Sequence, residues 1–309
     1  MIALVLRRLA QLPLILVTVY ALTALLLWAK PGDPLQSGPK PPSKAALEAM
    51  RHRYSMDQPA WRRFAIIYPR QLIIEGSLPS FMYMDWSVPE IIRMAFPVSF
   101  QLGLVALVLA LLGGTAAGMI SAVRRNTWLD HLSLGLALIG ISLPVFLIAE
   151  AALIFFCVKW AILPVGGWGR PSQLILPALT LSLPFMAYMA RLMRAAMLDV
   201  LGSDFIRTAK AKGLAGRTVI LKHAFKNSFL PILSFLGPAA AGIFTGSFVV
   251  EKVFNIPGLG THFVNSVLNG DQTLALGVVL LYSTMLVLFN LLVDVGYALV
   301  DPRIRIEGR

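Results

Sequence analysis

Ionisable side chains inside apolar stretches are where chemistry would have to be built, and two carboxylates hold such places, Glu150 and Asp294. A charge there is costly and tends to face a partner or a water-filled cavity. Glu150, well inside its stretch, can line a solute path and meet an amino group, or it can accept a hydrogen bond from a neighbouring helix. Asp294 lies near the end of its stretch, a depth at which pairing with arginine or backbone donors favours a structural role. The other reactive types are dispersed. His52, His131, His223 and His262 lack the i, i+4 pairing of a helical metal site, and the single cysteine, Cys157, sits alone in an apolar run. No phosphate loop ending in Gly-Lys-Ser/Thr is present, so the chain cannot hydrolyse ATP by itself, and no serine stands in Gly-x-Ser-x-Gly. The expectation is therefore no catalytic residue, no metal and no cofactor held by this chain.

Composition says what positions these residues. At 57% hydrophobic, 14% charged and a mean hydropathy of +0.75, the 309 residues carry more apolar surface than a soluble core can bury, so membrane lipid must cover part of it. The net charge of +12 does not imply nucleic acid, because its residues fall in short blocks between apolar runs. Six runs reach the length of about 20 residues that a span needs: Leu9 to Trp28, Phe100 to Val123, Leu132 to Val158, Leu174 to Ala190, Leu230 to Val250 and Leu274 to Val300. The first is too long for a signal peptide, reaches Lys30-Pro31 without a cleavage site, and should remain as an anchor.

Basic residues orient the spans, since short loops rich in them stay in the cytoplasm. Arg7 and Arg8, Arg124 and Arg125, the block from Arg191 to Lys226, and Arg303, Arg305 and Arg309 put both termini inside. The organisation read from this is an anchor at 1–29, an extracytoplasmic segment at 30–97, a five-span core at 98–300 and a cytoplasmic tail at 301–309. In the outer segment Ser43 can cap a helix to about Tyr54, and Trp61 to Ile74 gives an amphipathic candidate. That segment reads either as a lid packed on the bundle or as a contact for a substrate-delivery protein.

The loop at 199–229 is the most informative. Ser203 or Asp204 can start a short helix, Lys210 and Lys212 suit the negative end of its dipole, and Gly213 can close it in the left-handed conformation. Its short apolar side chains, Phe205, Ile206 and Ala209, would supply contact to a partner. A second helical stretch from about Thr218 leads into the fifth span, so the loop reads as a rigid element tied to a span; the alternative is a solvated basic loop that only fixes topology.

Arg207-Thr208-Ala209-Lys210-Ala211-Lys212-Gly213, followed by His223-Ala224-Phe225-Lys226-Asn227 and Leu230-Pro231, resembles the coupling motif of binding-protein-dependent ABC permeases in the peptide and nickel branch. Leu6-Arg7-Arg8-Leu9, Pro31-Gly32-Asp33-Pro34, Gly242-Ile243-Phe244-Thr245-Gly246-Ser247, Glu251 to Gly260 and Asp301-Pro302-Arg303-Ile304-Arg305 extend the resemblance to the oligopeptide permeases over nearly the whole chain. The resemblance implies an all-α permease fold of six transmembrane helices in a bacterial inner membrane. It also implies a second homologous permease, two cytoplasmic ATPase subunits that hold ATP and Mg, and an extracytoplasmic peptide-binding protein that delivers peptide. Asp204 to Lys210, Lys212 and Gly213 then become the ATPase-coupling residues. Two features depart from the general pattern or from expectation: the motif begins Arg207-Thr208-Ala209 instead of Glu-Ala-Ala, and Glu150 stands where an apolar or small residue is expected. Pro257, Gly258 and Gly260 read as a bent gate at the outer mouth or as a simple turn between spans. A secondary transporter would need coupling-ion carboxylates and related halves, and only two acids inside spans and no visible repeat argue against it.

Overall fold

The computed structural model describes residues 2–36, 43–83 and 85–300; the basic tail with Arg303, Arg305 and Arg309 lies outside the described residues. The main helices are α1 (Ile2–Ala29), α2 (Lys44–Arg53), α3 (Val88–Val123), α4 (Trp128–Ser142), α5 (Val145–Ala152), α6 (Pro171–Leu201), α7 (Asp204–Ala211), α8 (Leu230–Val253), α9 (Leu259–Asn269) and α10 (Gln272–Val300). No strand occurs among the described residues, only an isolated bridge between Pro79 and Ser87. The all-α integral membrane class holds: α1, α3, α6, α8 and α10 are long and apolar enough to cross a bilayer.

The third span differs from the expected single helix over Leu132–Val158. α4 and α5, the latter continuing as a π-helical stretch Leu153–Lys159, meet at a bend of 109°, so a count of six holds only if this pair crosses as one broken span. Pro144 is the cause. It has no N–H to donate, and its ring pushes Leu143 into extended backbone with ψ 133°. Pro177 and Pro184 sit inside α6, and Pro238 inside α8, without ending either helix; Pro231 occupies the first turn of α8, where the N–H has no partner in any case.

Two spans overrun their apolar runs. α3 starts at Val88, well before Phe100, because Glu90 accepts from the Ser87 amide at 2.8 Å and from its hydroxyl at 2.7 Å, a helix-starting Ser-x-x-Glu pattern. At 1.5 Å per residue its 36 residues extend about 54 Å, and the 31 of α6 about 46 Å, both beyond a hydrocarbon layer of roughly 30 Å.

Internal contacts divide the chain into two compact units. One comprises Ile2–Phe100 and Ile256–Val287. Its core joins Tyr54, Phe64, Tyr68, Leu78 and Phe81 to Val88, Ile91 and Ala95 of α3, with Leu274, Leu276 and Val278 of α10. Asp271, fully buried, ties this unit together: one carboxylate oxygen accepts from the Ser80 hydroxyl and the Met82 amide, the other from the Thr273 hydroxyl and the Leu274 amide at 3.0 Å each. The Ser43 hydroxyl caps α2 by accepting from Ala46 at 3.3 Å, as its sequence suggests, and the 60–73 helical run buries Phe64 and Tyr68 while exposing Trp61, Ile66 and Ile73.

The other unit holds Gln101–Asn255 and the chain from Leu288. In it α6 is the central helix, with α4, α5 and α8 packed on it. α3 approaches α6 at Gly114 and Gly118. A Cβ on Gly114 would stand 2.7 Å from the Met186 carbonyl, and one on Gly118 would meet the Ala190 carbonyl and stand 2.7 Å from the Met193 Cβ. A Gly-x-x-x-Gly spacing thus lets two membrane helices come into backbone contact.

Candidate functional site

The loop at 199–229 is built outward from the end of α6. Gly202 terminates α6 and Ser203 turns extended, with ψ 155°, before α7 begins. Ser203 is the N-cap by position, but the expected side-chain cap is absent: its hydroxyl donates back to the Val200 carbonyl at 2.5 Å. Asp204 in the first turn and Lys210 in the last suit the helix dipole, and Arg207 pairs with Asp204 at 3.5 Å on the solvent face. That pair is exposed and worth little.

The C-terminus of α7 is the most determined part of the loop. Gly213 has φ +76°, its amide donates to the Lys210 carbonyl at 2.9 Å, and the Leu214 amide donates to the Ala209 carbonyl at 3.3 Å. These two bonds form a Schellman motif, which needs a left-handed residue where Gly213 stands. A Cβ there would meet nothing within 4 Å, so the demand for glycine is conformational and not steric.

The face expected to bind a partner needs correction. Ile206 and Ala209 are buried in the chain's own fold, because α7 packs back on the π-helical stretch Val219–Ala224, whose Val219 and Ala224 are also buried. They anchor the helix. What α7 leaves open is Phe205 at 45% exposure, with Asp204, Arg207, Thr208, Lys210 and Lys212, and beyond it Leu214. The stretch continues through Phe225–Ser228 into α8, and the Ser228 hydroxyl donates to the Ala196 carbonyl of α6 at 3.3 Å. The exposed helix is therefore fixed to both α6 and α8.

Helix α6 also carries an ion pair that sequence reasoning missed. Asp130, 1% exposed, accepts from Arg194 Nε at 2.7 Å and Nη2 at 2.9 Å, from the Ser121 hydroxyl and from the Asn126 amide at 2.9 Å. All four acceptor positions of the carboxylate are used, which joins the end of α3, the start of α4 and α6. In the sequence Arg194 is one member of a basic block, and nothing in its spacing distinguishes it. Asp130 follows Thr127 at capping-box spacing, the one local signal; in the structure the Thr127 hydroxyl donates to Arg124 and the carboxylate turns inward.

The acids also rearrange the expected picture of membrane charge. Glu150 is exposed beside the fully buried Ala149, on an outward stripe of α5 and the following π stretch with Phe146, Leu147, Ile154 and Val158. The buried acids among the described residues are instead Asp130, Glu251 and Asp271, each in a polar loop or at a helix end where donors reach it. Asp130 and Asp271 each accept four hydrogen bonds, and Glu251 accepts from Ser247 at 2.9 Å.

Pro257, Gly258 and Gly260 lie at the start of α9. Pro257 is exposed at a tight turn in which the Gly258 amide donates to Ile256 at 2.8 Å, while Gly258 and Gly260 are buried. Gly258 has φ −101° and ψ 177°, ordinary extended backbone; the left-handed residue of this turn is Asn255, at φ +49°. The Leu259 amide donates to the Ser99 hydroxyl at 2.8 Å, which pins the helix start.

Residues 114–306 match the family model described as binding-protein-dependent transport system inner membrane component. The oligopeptide transport system permease protein OppB of Haemophilus influenzae is 40% identical over 284 residues, covering 91% of this chain and 92% of that one. OppB of Escherichia coli K12 is 40% identical over 277 residues, covering 89% and 90%. The dipeptide transport system permease protein DppB of Bacillus subtilis is 37% identical over 294 residues, covering 95% of each.

Proposed function

The chain belongs to the family of binding-protein-dependent transport system inner membrane components, and on that premise we propose that it is the permease subunit of an ATP-driven importer of oligopeptides. It forms half of the translocation pathway with a second, homologous permease, and two cytoplasmic ATPase subunits carry ATP and Mg and do the hydrolysis. An extracytoplasmic binding protein delivers peptide. Both termini and the 199–229 loop face the cytoplasm, a reading supported by the basic residues at those positions.

The observation that carries the coupling role is α7 itself: an exposed short helix held by its buried face, by Gly213 and by two spans. A helix so tied moves with α6 and α8, so nucleotide-driven closure of an ATPase pair would be passed to the spans as rigid-body motion. Phe205 and the exposed polar residues of α7 make the contact; Ile206 and Ala209 hold the helix in place. The exposed stripe around Glu150 faces the partner permease or the pathway, where the carboxylate can receive a peptide's amino group. Pro257, Gly258 and Gly260 set the start of α9 at the outer mouth, and this chain performs no covalent chemistry.

Reconstitution with candidate ATPases, a second permease and the binding protein tests the reading. Labelled oligopeptide should accumulate in proteoliposomes only with ATP and loaded binding protein, and uptake that follows an ion gradient without ATP would refute it. A dipeptide importer is the second reading, favoured by the DppB relative at 37% identity; competition between dipeptides and longer peptides separates the two.

A further inference from the structure

Between the end of α3 and the second half of the 199–229 loop is a groove of about 590 Å³ that α7 does not line, formed by Met119, Ile120, Val123 and Arg124 from the end of α3 and by Arg217, Ile220 and Leu221 from the stretch that leads to α8. Its floor is aliphatic and its only charges are two guanidiniums. Neither Arg124 nor Arg217 has an ion-pair partner among the described residues, and both are exposed. Arg124 and Arg125 directly follow the apolar run of α3, and Trp128, 70% exposed, stands at the start of α4. Basic and aromatic residues in this order mark the depth at which hydrocarbon gives way to headgroups.

We propose that this groove binds one anionic phospholipid of the adjacent leaflet, its phosphate between Arg124 and Arg217 and its first acyl methylenes along Met119, Ile120, Val123, Ile220 and Leu221. Two cationic groups above an aliphatic floor match a charged head on an apolar tail, whereas a protein partner would leave the two guanidiniums needing acidic residues of its own. The occupant would bridge α3 and the loop stretch beside α7, so lipid charge would bear on the orientation of the coupling helix. The site does not depend on what the transporter carries.

The test uses the purified transporter complex in nanodiscs containing phosphatidylglycerol with a photoreactive acyl chain, followed by peptide mapping. Labelling is expected on the segments 119–124 and 217–221, competed by unlabelled phosphatidylglycerol but not by phosphatidylcholine or inorganic phosphate. Each arginine should contribute about fivefold in affinity, so R124Q/R217Q should lower labelling about 25-fold, while R124K/R217K, which keeps the charges, should retain most of it. Equal labelling by a phosphatidylcholine probe, competition by inorganic phosphate, or R124Q/R217Q labelling at the wild-type level in assembled complex would overturn the proposal. So would labelling that appears only after the ATPase subunits are stripped, since the groove would then belong to them.

Discussion

Gly213→Val isolates the coupling role of α7 from every steric effect. The structure leaves open space where the Cβ would go, with no heavy atom within 4 Å, so the whole cost is that of holding a β-branched residue at φ +76°. That cost is about 1–2 kcal/mol, enough to reduce the population of the closed Schellman turn by about five- to thirtyfold. Because Ile206 and Ala209 still anchor α7 from below, the protein should insert and assemble while the exposed face loses its fixed angle. The assay is ATP hydrolysis in the reconstituted complex with and without substrate-loaded binding protein. Basal hydrolysis should persist and the stimulated increment should fall by up to the same five- to thirtyfold, with peptide uptake falling in parallel. Gly213→Asn is the control, since asparagine visits the left-handed region readily and should keep most of the stimulation. Equal stimulation in the Val and wild-type proteins, or equal loss in the Val and Asn proteins, would refute the reasoning.

Arg194→Met should lower stability by about 3–5 kcal/mol because it strands the buried Asp130 carboxylate, and D130L/R194M should be the milder change, both read as thermal midpoints in detergent. Gly118→Val should overpack the α3–α6 crossing and cost about 1–3 kcal/mol by the same measurement, whereas Gly135→Ala, whose Cβ meets nothing within 4 Å, should be close to silent. Burial of His262, ring edge to Tyr83 at 5.4 Å, pushes its pKa below the ordinary 6.5, so protonation favours the unfolded chain. Stability should therefore drop as pH falls below about 6.5, and a His262→Gln protein should show a flatter profile over that range. In a C157A background, an impermeant thiol reagent on intact cells should modify S77C and not A211C; the reverse would invert the topology. Ser77 is the useful outer position because Ser80 is buried under Asp271.

Much of this chain was legible in its residues. Apolar runs of span length announce themselves by composition, because lipid imposes the same requirement along the whole segment, and α1, α6, α8 and α10 all contain the runs expected of them. The helix at 204–211 and the left-handed Gly213 follow from local signals that act within a few residues. The Ser87–Glu90 start of α3 and the Gly114–Gly118 contact were written in the sequence too, as patterns that local reading passed over. Other features came only with the tertiary structure, because they depend on partners distant in sequence. No local rule separates Pro144, which breaks its span by 109°, from Pro177 and Pro184, which do not, since the outcome rests on whether neighbouring packing holds the freed backbone groups. Asp130 finds Arg194 sixty-four residues away, and Asp271 finds Ser80 at a separation of 191. Each of these carboxylates is costly to bury alone and stable once four donors converge on it, and that convergence is a property of folded space that no window of sequence contains.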